Sequence, residues 1–149
     1  KEFSILKFNN QKNSNFITTP FSIILMLSLF IAFVTFKNHQ SQKRSKWLDF
    51  SIYFTTGLIG IVILLLWFAT DHTATYNNYN ILWAFAPNLF VSFYMLKTKL
   101  PDWLKQYNKL LLLLILIMMV FWVLKIQIFS NALILFLSAL AYRYKFILK

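Results

Sequence analysis

Cysteine is absent from the 149 residues. Disulfides, thiol nucleophiles and cysteine-based metal sites are therefore excluded within this chain. Glycine and proline are almost as scarce, at two and three residues, which leaves little material for β-turns. The apolar runs also lack the period-2 alternation of a membrane barrel, so that class is set aside. Acidic residues number four against fifteen Lys and Arg, a formal net charge of +11. Such a balance raises nucleic-acid binding, but the basic residues do not gather on one helical face. They stand at the ends of apolar runs, where they act as topology signals and as contacts for anionic lipid head groups. No nucleic-acid partner is expected, and no Gly-rich phosphate loop is present.

What is abundant is apolar surface. The chain is 59% hydrophobic and 19% aromatic, with a mean hydropathy of +0.62. Its own polar residues could not cover that much apolar surface, so lipid must be the solvent. Five runs, approximately 16–36, 48–69, 79–96, 110–128 and 131–148, alternate with short polar segments. The pattern predicts an all-α, polytopic integral membrane protein, a bundle of five transmembrane helices. Residues 1–15 are polar and Asn-rich. They read as an extracytoplasmic linker arriving from an upstream domain. The first run has no short apolar region followed by small residues at a cleavage site, so it is not read as a signal peptide.

Local signals refine the spans. Thr18-Thr19-Pro20 is a helix start, a hydroxyl cap followed by proline at the first helical position. Thr56, Gly57 and Gly60 present small side chains at a spacing that lets another helix approach closely. Pro87 falls inside the third run and predicts a kink there, with Asn88 satisfying the freed backbone. The alternative is a separate short helix over 81–86 and a span starting at Pro87. Trp103 and Tyr107 share a face of an interfacial turn. The apolar stretch 110–142 would measure about 50 Å as one helix, against a hydrocarbon core of about 30 Å. A tight hairpin at residues 125–131 is expected instead, with Ser130-Asn131 capping the fifth helix. Lys125, Arg143 and Lys145 are expected to snorkel to the interface.

The basic residues decide the sides. Loop 37–46, loop 97–109 and tail 143–149 hold four, four and three Lys or Arg, eleven of the fifteen. The positive-inside rule then puts the C-terminus in the cytoplasm and the linker outside. Trp67, Trp83 and Trp122 fall toward the outer interface, and Trp47 and Trp103 toward the inner one, as aromatic belts.

The concentrated polar cluster lies on the outer side: Thr70, Asp71, His72, Asn78 and Asn80, with Trp83 close by. Asp71 ends a helix, where the macrodipole disfavours a carboxylate, and it sits near lipid, where charge is costly. His72 and the Asn side chains are the available compensation. The plain alternative is an Asx turn with Thr73 that ends the helix and does nothing more. One Asp, one His and amides are a thin metal-ligand set, and no metal site is expected. A Ser-His-Asp arrangement lacks a nucleophile, since Ser51 and Ser92 fall toward the inner side.

Three stretches carry a resemblance: Gly57-Leu58-Ile59-Gly60, Leu66-Trp67-Phe68-Ala69-Thr70-Asp71-His72 and Asn78-Tyr79-Asn80-Ile81-Leu82-Trp83-Ala84. Together they resemble the five-helix membrane domain of Lnb-type lipoprotein N-acyltransferases. By architecture the likeness runs from about residue 16 onward; by motif it covers about thirty residues. It implies a bacterial inner-membrane protein in which an N-terminal periplasmic domain precedes the five helices and carries the catalytic groups. It implies transfer of an acyl chain from a phospholipid to the amino group of a lipoprotein's lipidated N-terminal cysteine, without a cofactor. The membrane part, not catalytic alone, would anchor the enzyme and shape lipid access, with Asp71, His72, Asn78 and Asn80 beneath the catalytic domain. Its partners would be membrane lipids, the upstream domain and lipoproteins. A plain membrane scaffold is the first alternative. A transporter or channel subunit is the second, disfavoured by the lack of an inverted repeat and of polar groups at mid-membrane.

Overall fold

In the computed structural model, residues 19–69 and 78–148 are described. The linker expected over 1–15 lies outside them, as do Thr70, Asp71 and His72. The described residues form α1 (Pro20–Ser41), α2 (Lys46–Phe68), a 3₁₀ turn (Tyr79–Leu82), α3 (Asn88–Met95), α4 (Trp103–Val123) and α5 (Asn131–Ile147), with no strand among them.

The helix ends follow from local chemistry. Thr19 caps α1, its hydroxyl accepting from the Ser22 N–H at 3.3 Å, and Pro20 opens the first turn. The helix ends without glycine. Gln42 takes a left-handed backbone at φ 53°, and its side-chain amide donates to the His39 carbonyl at 2.7 Å, an acceptor the helix end leaves open. Lys125, also left-handed at φ 56°, closes α4. Its N–H bonds to the Trp122 carbonyl at 3.1 Å, and the Ile126 N–H bonds to the Phe121 carbonyl at 3.0 Å. This is a Schellman closure with lysine where glycine is usual. The long apolar stretch therefore breaks into two helices with neither Gly nor Pro at the break. Ser130 caps α5, its hydroxyl accepting from the Leu133 N–H at 3.4 Å. The interfacial turn expected near Trp103 is continuous with the fourth span as one helix.

The third crossing departs most from the sequence reading. A continuous helix kinked at Pro87 is not formed. The chain makes the 3₁₀ turn, passes through irregular backbone over 83–87, and only then starts α3, with Pro87 at its N-cap. Pro87 opens a helix instead of bending one, which is close to the alternative of a span beginning there. The eight residues of α3 rise only about 12 Å at 1.5 Å each.

Irregular backbone is tolerated inside a membrane only where protein covers it. The two glycines provide that cover. A Cβ on Gly57 would lie 2.1 Å from the Leu89 nitrogen, and one on Gly60 would lie 2.0 Å from the Ala84 oxygen. The small-residue face of α2 thus lies flush against residues 84–89, and α3 packs along α2.

Elsewhere α1 and α4 pack along α5, and the 3₁₀ turn touches α2 and α4. Although joined by a short loop, α1 and α2 do not pack along one another. The bundle is apolar outside. On α1, Ser22, Ser28, Thr35 and Asn38 are buried with Ile31, while Ile23, Leu29, Phe30 and Phe33 are exposed. Polar groups facing protein and large apolar ones facing out is the arrangement lipid selects. Helices α1, α2 and α4 are each long and apolar enough to cross a membrane. The 17-residue α5 measures about 25 Å at 1.5 Å per residue.

The flush glycine seam makes a direct prediction. Gly60→Ala should cost about 1–3 kcal/mol, because the new methyl meets backbone and cannot be accommodated by a rotamer change. Thermal unfolding in detergent, followed by circular dichroism, checks this. Leu58→Ala, at an exposed position of the same helix, should leave the transition in place.

Candidate functional site

Three polar layers cross the bundle. The first lies at the end bearing the basic loops. Asp49 sits one turn into α2 with its side chain fully buried. Its Oδ1 accepts from Arg143 Nε of α5 at 2.6 Å, and its Oδ2 from an Arg44 guanidinium nitrogen at 2.9 Å. Arg143 is itself wholly buried. It donates further to Asn38 Oδ1 at 2.7 Å, to Thr35 Oγ1 at 3.4 Å and to the Ser45 carbonyl at 3.4 Å. Arg44 donates to the Met95 and Lys97 carbonyls at 2.9 and 2.6 Å, which closes the open end of α3.

This layer was not found from sequence, and Arg143 does not snorkel outward as expected. The signal was present: one carboxylate just inside an apolar run and one guanidinium inside another. Charges in that setting turn inward and pair. Both oxygens of Asp49 are engaged by guanidinium groups. That makes it a poor general base and a strong structural tie.

The second layer is neutral and lies half-way up. Asn88 donates to Thr56 Oγ1 at 2.9 Å and accepts from the Tyr107 hydroxyl. The Tyr53 hydroxyl donates to Asn108 Oδ1, and Asn108 donates to the Leu104 carbonyl at 2.8 Å. These bonds tie α2, α3 and α4. Asn88, expected to satisfy a kink, instead bridges three elements.

The third layer lies at the opposite end and includes the described half of the sequence-predicted cluster. Asn78 caps the 3₁₀ turn, its side-chain oxygen accepting from the Asn80 N–H at 3.2 Å and from Asn80 Nδ2 at 2.8 Å. Asn80 Oδ1 in turn accepts from the Trp83 indole at 2.8 Å. The Tyr79 N–H donates to Gln127 Oε1 at 2.9 Å, linking this turn to the α4–α5 loop. Tyr79 meets Phe121 edge-on at 5.0 Å, and Trp83 meets Phe136 edge-on at 5.5 Å. The structure therefore brings Asn78, Asn80 and Trp83 together. Thr70, Asp71 and His72 precede them outside the described residues. Gly57 and Gly60 lie flush against residues 84–89, with Thr56 beside them accepting from Asn88.

An all-helical bundle, apolar outward, with polar layers inside and two basic loops at one end, is an integral membrane domain. The model of the family described as the Lnb transmembrane domain matches residues 11–149, and the chain belongs to that family. No curated protein and no solved structure matches it.

The ion layer predicts the cost of its own removal. Asp49→Ala strands two guanidinium groups in a dry setting and should cost about 3–5 kcal/mol. Unfolding in a mixed detergent titration measures it. Asp49→Leu combined with Arg143→Met should cost less than the sum of the two single changes, since each single change leaves a partner uncompensated.

Proposed function

We propose that this chain is the membrane domain of a lipoprotein N-acyltransferase-like protein of the bacterial inner membrane. The observation that carries the reading is the match to the Lnb transmembrane domain over nearly the whole chain. The positive-inside rule supports an orientation with the Arg44–Asp49–Arg143 end in the cytoplasm and the Asn78–Trp83 end facing the periplasm. Residues 1–15 then connect to a periplasmic domain that holds the catalytic groups. The reaction moves an acyl chain from a phospholipid to the amino group of a lipoprotein's N-terminal cysteine and uses no cofactor. The membrane domain anchors that machinery and shapes the approach of the lipid, with Asp71, His72, Asn78 and Asn80 beneath the catalytic domain.

A scaffold without substrate contact is the second reading. What favours it is that Asn78, Asn80 and Trp83 direct their hydrogen bonds at one another. The two readings separate at the neighbouring carboxylate and imidazole. Asp71→Ala and His72→Ala in the intact protein should each lower lipoprotein N-acylation by about tenfold, equivalent to about 1.4 kcal/mol on the barrier. Mass spectrometry of cellular lipoproteins reads the acylated fraction. Unchanged N-acylation in both variants, together with full activity of a chimera on an unrelated five-span anchor, would leave the scaffold reading.

A further inference from the structure

At the basic end, side chains from the start of α2 reach across to the end of α3. Arg44 donates to the Met95 and Lys97 carbonyls, and Lys46 Nζ donates to Thr98 Oγ1 at 2.9 Å. Lys97 Nζ rests over the Tyr94 ring, 4.6 Å from its centroid. Two ammonium groups are thus held at the end of the seam where α2 and α3 pack together. The described residues include two carboxylates, Asp49 and Asp102. Asp49 is taken by Arg44 and Arg143, and Asp102 lies 3.7 Å from Lys105. Neither Lys46 nor Lys97 is balanced by a described carboxylate.

Toward mid-membrane from these lysines the seam is covered by rings. Trp47 meets Phe50 edge-on at 6.0 Å. Phe50 stacks on Phe54 at 5.4 Å and meets Phe93 of α3 edge-on at 5.8 Å. Trp47, Phe90 and Phe93 are exposed. From Lys46 to Phe54, α2 rises about 12 Å at 1.5 Å per residue. One leaflet of hydrocarbon is about 15 Å deep, half of the roughly 30 Å core. We propose that this seam binds one anionic phospholipid of the leaflet at the basic end. Its phosphodiester lies on Lys46 and Lys97, and its acyl chains run along the ring strip with their methyl ends toward mid-membrane.

Charge, order and depth select that occupant. The lysines call for an anion, and a zwitterionic head group would bring its own ammonium to a place already positive. Both ammonium groups are held before binding, one by Thr98 and one by Tyr94, so little side-chain freedom remains to be lost. The rings stand at hydrocarbon depth, where a soluble phosphate would leave them unmatched and an acidic peptide would have to lay polar backbone in lipid. The other side of α2 offers a contrast. There α1 and α2 part around a crevice of about 630 Å³, lined by Leu27, Ser51, Thr55 and Trp83 among others. Among the described residues no Lys or Arg lines it, so it has nothing with which to choose a head group.

The site goes beyond the acyltransferase reading and does not depend on it. The test uses the full-length protein in detergent, titrated with phosphatidylglycerol or with phosphatidylethanolamine of the same chains. Native mass spectrometry reads the bound lipid. One phosphatidylglycerol should be held about tenfold more tightly than phosphatidylethanolamine. Lys46→Gln and Lys97→Gln should each weaken it by about fivefold, the worth of one charge beside an anionic lipid. Thr98→Val, which frees the Lys46 ammonium and keeps its charge, should weaken it by about twofold. Lys37→Gln combined with Lys145→Gln removes two exposed charges of α1 and α5 at the same end and should leave the affinity unchanged. Millimolar glycerol phosphate should not displace the lipid. Equal retention of the two lipids, an equal loss in the Lys37–Lys145 double variant, or displacement by glycerol phosphate would overturn the proposal.

Discussion

Asp49 between Arg44 and Arg143 is the constraint from which the arrangement follows. A carboxylate with no exposure, inside lipid, is tolerable only when its oxygens meet strong donors. The donors come from positions far apart in sequence: Arg143 lies 94 residues beyond Asp49. Satisfying one carboxylate therefore brings α5 to α2. Because Arg143 also binds Asn38 and Thr35, the same side chain brings in α1. Because Arg44 takes the carbonyl of Met95, the last residue of α3, and that of Lys97 just beyond it, the cluster fixes where that helix stops. The cluster carries one more positive than negative charge, which suits an end facing anionic head groups.

The clamp acts at one end only. Tied to α5 by Arg143, α1 runs beside α5 and not beside α2. The α1–α2 crevice is the geometric consequence. Toward the other end, charge is replaced by the Tyr79 N–H bond to Gln127 Oε1 and by edge-on ring contacts. Interhelical hydrogen bonds between neutral groups in membranes average only about 0.6 kcal/mol. The bundle is thus held hard at the basic end and lightly at the Asn78–Trp83 end.

Much of this was legible in the sequence, for physical reasons. Span number follows from apolar length, and the helix starts at Thr19 and Ser130 follow from hydroxyl capping. The closeness of α2 to its neighbour follows from Gly57 and Gly60. The hairpin at Lys125 was legible as a place, since an unbroken helix would be too long, but not as a mechanism. A lysine in the left-handed region has no sequence signature of its own. The ion layer was missed because Arg143 sits near the end of an apolar run, where snorkelling is the ordinary outcome. What decides against snorkelling is Asp49, and its partnership with Arg143 is a tertiary fact. Pro87 was misplaced by reading it within a continuous helix; the covering that permits irregular backbone there comes from α2, not from the local sequence.

That half-crossing is what joins the Asn78–Asn80–Trp83 turn to the α1–α2 crevice. Eight residues separate Gly60 from Phe68 at the end of α2, so residues 84–86 lie about 12 Å below that end. A full-length third helix would occupy this space with its own outer turns. Replacing those turns with a 3₁₀ turn and a covered irregular strip places Trp83 deep in the membrane, beside the crevice, while Asn78 and Asn80 stay hydrogen-bonded above it. The two glycines, scarce in this chain, are spent at the positions where a backbone must lie flush against α2. The depth at which Trp83 lies against α2 depends on those two missing side chains.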